Sequence, residues 1–227
     1  MRVSFDSKFF EVSGRIVDMM ILSLFWVVLC LPLITIVPAS IAMYYAAAKV
    51  IRRETGKLIP EFFRGLKENF RQGFALNVIY LLLAGFLYVI SQFAQYNGLG
   101  TAIGNLYYVF LLVCILVLAC VTYYLLPILS RFQINLMGAL RLSLYFGSKN
   151  LGTMIPLVIT FAGFCAAVYV FPMLLMIAPG FYAYLMTKPI EATFRRYIRE
   201  EMPNPEAHYG MWYMDEPALP GEKGEEE

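Results

Sequence analysis

Three uncharged stretches set the terms for this chain: residues 19–48, 73–130 and 150–187, which are 30, 58 and 38 residues long. A helix rises 1.5 Å per residue, so about 20 apolar residues cross a hydrocarbon core about 30 Å thick. Each stretch exceeds one crossing and must be divided. Proline lacks an amide proton and disfavours helix in the residue before it. Pro32 and Pro38 therefore place a turn around Leu33-Ile34-Thr35-Ile36-Val37. The middle stretch breaks across residues 91–105, where Gln92, Gln95, Asn97, Gly98, Gly100 and Gly104 gather, and the last breaks between Pro172 and Pro179-Gly180. The predicted helices are 15–32, 38–53, 73–94, 105–130, 151–171 and 179–199. The second is short for a full crossing, which leaves a re-entrant or tilted element open.

Composition agrees with several spans. The chain is 60% hydrophobic and 15% charged, against roughly 45–50% and about 25% in soluble domains. Soluble enzymes, disordered chains and nucleic-acid binders are excluded on that ground. Lys and Arg are retained on the cytoplasmic side of a membrane. All 18 of them lie in segments 1–15, 49–71, 131–149 and 188–199 or at Lys223. Six helices put every one inside, with both termini cytoplasmic. Val37-Pro38-Ala39 resembles a signal-cleavage site, but Asp6 and Glu11 dilute the basic start and the apolar run is too long for a signal. The first helix is expected to remain.

Two amphipathic segments join these spans. Ile59, Phe62, Phe63, Leu66 and Phe70 recur at helical spacing, with Glu61, Arg64, Lys67, Glu68 and Arg71 on the other side. Pro60 suits a first helical turn, and Gly73 precedes the next span. An interfacial elbow follows, either anchoring on anionic lipid or docking a partner through Phe62, Phe63, Arg64, Lys67, Asn69, Phe70 and Arg71. The second segment, 132–150, carries Leu136, Met137, Leu140 and Leu144. Pro32 and Pro38 after the first span echo Pro172 and Pro179 after the fifth, and aligning Pro38 on Pro179 brings Ala42 onto Ala183. Such a pseudo-repeat would set two proline-broken hairpins about an axis, where transporters place substrate sites.

Residues 1–199 form the membrane domain, with 17 cations against seven acids; residues 200–227 hold nine acids, one Lys and four prolines. That tail has the composition of a disordered cytoplasmic segment, with Met211-Trp212-Tyr213-Met214 as an apolar patch. It is either solvated or folded back on the basic face.

Reactive chemistry is sparse. The one histidine, His208, lies in the tail, and Cys30, Cys114, Cys120 and Cys165 have no metal-ligand spacing. No nucleotide-binding or zinc-protease motif occurs, so no catalysis, cofactor or metal is expected. Asp18 is the clearest charge inside a span, read either as a headgroup-level ion-pair partner or as a coupling carboxylate. Glu191 stands near the inner end of the last helix beside Lys188 and Arg195. Ser23, Asn77, Thr122 and Thr160 are small polar midspan residues of the kind that serve helix packing.

The runs Asp18-Met-Met-Ile-Leu-Ser-Leu-Phe-Trp26, Leu31-Pro-Leu-Ile-Thr-Ile-Val-Pro38-Ala39, Ala42-Met-Tyr-Tyr45 and Glu61-Phe-Phe-Arg-Gly-Leu-Lys-Glu-Asn-Phe-Arg-Gln-Gly73 together resemble the bacterial YesL family. Its members usually show a Leu-Pro-Ile-Val-Thr-Ile-Gly turn and a Phe-Phe-Arg-Gly-Phe-Lys-x-Asn-Phe elbow. Val37 replaces the usual glycine here, and Ser23 stands where asparagine is common. The resemblance implies an uncharacterised multi-pass protein of the bacterial plasma membrane. Such proteins are often encoded beside genes for sugar uptake and polysaccharide degradation. It supplies no catalytic residues.

The expected fold is an all-α polytopic bundle of about six transmembrane helices with two interfacial helices. The expected function is a noncatalytic accessory or assembly component of a carbohydrate-uptake system, partnered by the bilayer and by sugar-transporter subunits. The alternative is a small homo-oligomeric transporter. No nucleic-acid partner is expected.

Overall fold

The computed structural model describes residues 3–54, 56–96, 102–132 and 134–201. The expectations for His208, the Met211–Met214 patch and the 97–101 turn lie outside these residues. The described residues form seven α-helices: α1 Val3–Cys30, α2 Ile36–Ala46, α3 Leu58–Tyr96, α4 Ala102–Arg131, α5 Leu136–Lys149, α6 Leu151–Val170 and α7 Ala178–Glu201. Short 3₁₀ segments, Leu33–Thr35 and Pro172–Met176, precede α2 and α7, and α2 runs on as a π-helix over Ala47–Arg52. Among the described residues there is no strand. The fold is an all-α helical bundle.

The helix that looked too short to span is its centre. α2 itself, Ile36–Ala46, is apolar nearly all round, as a helix must be when it is enclosed on every side, and its π extension adds Lys49 and Arg52 at the end. In the most apolar 18-residue stretch within Leu33–Arg52, 72% of residues are buried, against 11–17% in the corresponding stretches of the other four segments long and apolar enough to cross a membrane. Ala39, Ala42, Ala46 and Ala47 have no exposed surface, and such small side chains let neighbouring backbones approach closely. One side of α2 packs Ala42, Ala46 and Ala47 with Met19, Leu22, Phe62 and Ala183. The other packs Val37, Ile41 and Tyr44 with Tyr124, Leu125, Ile128 and Ile190.

The expected elbow and third span are one rod. α3 runs unbroken for 39 residues, about 58 Å at 1.5 Å per residue. Gly73 does not end a helix; it marks a crossing. A Cβ there would lie 3.0 Å from Pro38 Cα, and one on Gly65 would lie 2.8 Å from the Tyr45 ring. Glycine costs about 1 kcal/mol in a helix interior, and here it admits α2 against α3. The second elbow is a separate helix, α5, parted from α6 at Asn150 (φ −121°).

Among the described residues, five segments are long and apolar enough to cross a membrane: Ser13–Cys30, Leu33–Arg52, Leu58–Phe93, Gly104–Arg131 and Gly152–Val170. The sixth expected span, 179–199, is α7. It falls outside the five because Lys188, Glu191, Arg195 and Arg196 crowd its second half. It lies against α1, α6 and the π segment.

Candidate functional site

Between residues 69 and 199 the sequence holds a single acidic residue, Glu191. It is 2% exposed, and three elements converge on its carboxylate. From the end of α4, Arg131 donates through Nε to Oε1 at 2.8 Å, and its Nη2 pairs with Oε2. Just past the π-helix, Arg53 brings Nη2 to 3.6 Å from Oε2. From α2, the Tyr44 hydroxyl donates to Oε1 at 3.0 Å. Burying a carboxylate is costly unless it is paired and hydrogen-bonded, and here both oxygens are engaged.

The π-helix explains how two consecutive arginines serve one neighbour. Residues adjacent in an α-helix point about 100° apart, and a π turn widens the helix locally, often at functional positions. Arg53 reaches Glu191, while Arg52 reaches Thr187, one turn earlier on α7. Its Nε donates to Thr187 Oγ1 at 2.5 Å, and its guanidinium carbon lies 4.7 Å from the centre of the Tyr184 ring. The chain then reverses at Glu54 (φ 57°) and Gly56 (φ 85°). Glu54 pairs with Arg15 of α1, and Lys49 lies 3.2 Å from Glu61 of α3. α2 is thus tied at its charged end to α1, α3, α4 and α7.

At the other end of α2, prolines and caps set the geometry. Pro38 lies in the first turn of α2 and Pro179 in the first turn of α7, each after a 3₁₀ segment. A helix start leaves backbone N–H groups without helical partners. Asn77 of α3 accepts from Val37 N at 3.1 Å and donates to Leu33 O at 3.0 Å. Ser23 of α1 accepts from Gly180 N at 2.8 Å, and its hydroxyl is 2.8 Å from Met19 O. A Cβ on Gly180 would meet Met19 O at 2.3 Å, so α1 and α7 touch through backbone. Ala42 and Ala183, which the proline alignment superposes, pack in one cluster with Met19 and Leu22.

The residues singled out from sequence fall into separate places. Phe62 is buried against Phe25, with ring centres 5.8 Å apart. Asn69 is half-buried and donates to Gly65 O. Phe63, Arg64, Lys67, Phe70 and Arg71 are exposed along one side of α3, and Arg64 pairs with Glu68 at 2.9 Å. Asp18 is half-buried on α1. Of the midspan polar residues, Ser23 and Asn77 cap helices, Thr122 bonds Tyr80 at 2.8 Å, and Thr160 donates to Pro156 O. The Glu191 cluster was not assembled from sequence. A lone acid among the cations that follow residue 69 was the available signal, and its partners lie 60 and more positions away.

The fold and this site describe a helical bundle with a membrane-compatible apolar surface and an ion-paired, closed charged end. Residues 19–90 match the model of a family of proteins of unknown function, DUF624. That stretch covers the last 12 residues of α1, all of α2 and most of α3, including Ser23, Pro32, Pro38, Asn77 and the exposed α3 face; Pro179, Arg131 and Glu191 lie beyond it. No curated protein and no solved structure matches the chain.

Proposed function

We propose that this chain is a noncatalytic accessory component of a carbohydrate-uptake system in the bacterial plasma membrane, with its cationic end in the cytoplasm. The observation that carries this reading is the division of α3 into two faces. Phe62, Gly65 and Gly73 lock one face onto the chain's own core. Phe63, Arg64, Lys67, Phe70 and Arg71 stay exposed on the other, an aromatic and cationic strip suited to an acidic partner surface. Retention of Lys and Arg supports the orientation. The resemblance of residues 14–74 to the YesL family supports the sugar-uptake setting.

Co-purification from native membranes in mild detergent tests it. Sugar-transporter subunits should accompany the wild type and disappear with Arg64→Glu/Lys67→Glu/Arg71→Glu, while the variant elutes as the same monodisperse peak. Recovery of the protein alone in both cases sinks the reading. A small transporter is the second reading, favoured by the two proline-broken helix starts that pack Ala42 and Ala183 together. It requires Asp18→Asn to impair sugar-dependent growth while the triple variant leaves growth intact.

A further inference from the structure

α5 is amphipathic in two directions. Ala139, Ser143 and Phe146 face the bundle and are buried. Met137 and Leu144 are 62% and 55% exposed, and Tyr145, Arg141 and Ser148 are exposed with them. Positions 137, 141, 144 and 148 form a single stripe at helical spacing. α5 carries Arg141 and Lys149 and no acid. Its surface therefore alternates apolar and cationic groups with no internal counter-charge.

The last described turns of α7 lie beside this stripe. Tyr197 packs on Phe146 with ring centres 5.0 Å apart and on Tyr145 at 6.0 Å, and Lys149 Nζ lies 5.3 Å from the Tyr145 ring centre. α7 is described to Glu201. Beyond it the sequence continues to Met211-Trp212-Tyr213-Met214-Asp215-Glu216, an apolar run closed by two acids. A coil of ten residues spans about 17 Å root-mean-square, and a 14-residue helix is about 21 Å long.

We propose that residues 211–216 dock on the exposed stripe of α5, the aromatic and methionine side chains on Met137, Leu144 and Tyr145, and Asp215-Glu216 on Arg141 and Lys149. Two things select this occupant: its charge is opposite, and its tether leaves α7 next to the site. A short tether holds it at an effective concentration on the order of millimolar, so weak intrinsic affinity suffices. An acidic segment has no corresponding attraction to an anionic leaflet.

The chain has two tryptophans, so Trp26→Phe leaves Trp212 as sole reporter. The full chain, one copy per disc, is placed in phosphatidylcholine nanodiscs and its emission is quenched with acrylamide. Trp212 should be shielded. Arg141→Glu/Leu144→Asp should lower the docked-to-free ratio about tenfold, the factor of one charge-assisted contact. Asp215→Lys/Glu216→Lys should do the same without touching the bundle, and adding Arg141→Glu to that pair should restore shielding. Free quenching in the starting protein overturns the proposal. Shielding that survives the tail substitutions overturns it as well, by assigning Trp212 to lipid or to another face.

Discussion

The two ends of the bundle are built on opposite rules, and α4 shows both within one helix. From Tyr123 to Phe132 it is buried against α2 and α7, whereas Leu106, Val109, Leu112 and Leu116 are 70%, 61%, 65% and 54% exposed. α3 and α6 divide in the same way: Leu58, Phe62, Leu76, Met154 and Leu157 are buried, while Leu82, Phe86, Ile159 and Tyr169 are exposed. One end is held by side chains within the protein, and the other presents a hydrocarbon-like surface. Apolar residues are common to both ends. What distinguishes them is the presence of α2, with its alanines and its arginines, at one end only.

The sharpest way to break that comparison is to remove the carboxylate that joins α2, α4 and α7. Glu191→Ala strands two guanidiniums, and breaking one partner of a buried ion pair costs about 3–5 kcal/mol. The melting transition, followed by fluorescence-detected size exclusion, should collapse. Arg131→Met/Glu191→Leu should recover much of the loss, because apolar replacement of a whole buried pair is often neutral. If the single variant melts like wild type, the cluster is not what closes this end.

A truncation at each end sharpens the contrast. Phe62→Ala, at 0% exposure, should cost about 3–5 kcal/mol. Phe86→Ala, at 57% exposure on the same helix, should stay within about 0.5 kcal/mol. Equal shifts in the two midpoints would show that the exposed end is also packed. A smaller loss than at Phe62 is expected at the cap: Asn77→Ala leaves Val37 N–H without its acceptor and should cost about 1–3 kcal/mol. Asn77→Asp keeps an acceptor for Val37 N–H but sets a buried carboxylate oxygen against Leu33 O, and should cost more than the alanine.

Much of this was legible from residue order, and the misses share a cause. The proline breaks, the long apolar helices and the amphipathic α5 follow from local chemistry. Gly73 was read as preceding a new span, yet the helix runs through it, and what leaves no room for a side chain there is Pro38, 35 positions earlier. α2 looked marginal because its length was judged against a bilayer, while its neighbours are other helices. α7 was counted as a span from its uncharged first half, and the polar residues of its second half include Thr187 and Glu191, which meet Arg52, Arg53 and Arg131. In each case the deciding partner is distant in sequence, which periodicity and propensity do not report.

The unbroken run of α3 gives the molecule a lever. A rod about 58 Å long outreaches a hydrocarbon core about 30 Å thick, and it bears on α2 where Gly73 meets Pro38. That contact is its fulcrum, with Arg64, Lys67 and Arg71 on one arm and Leu82, Phe86 and Phe93 on the other. With no break in the helix between the arms, a tilt of the cationic arm is also a tilt of the exposed apolar arm.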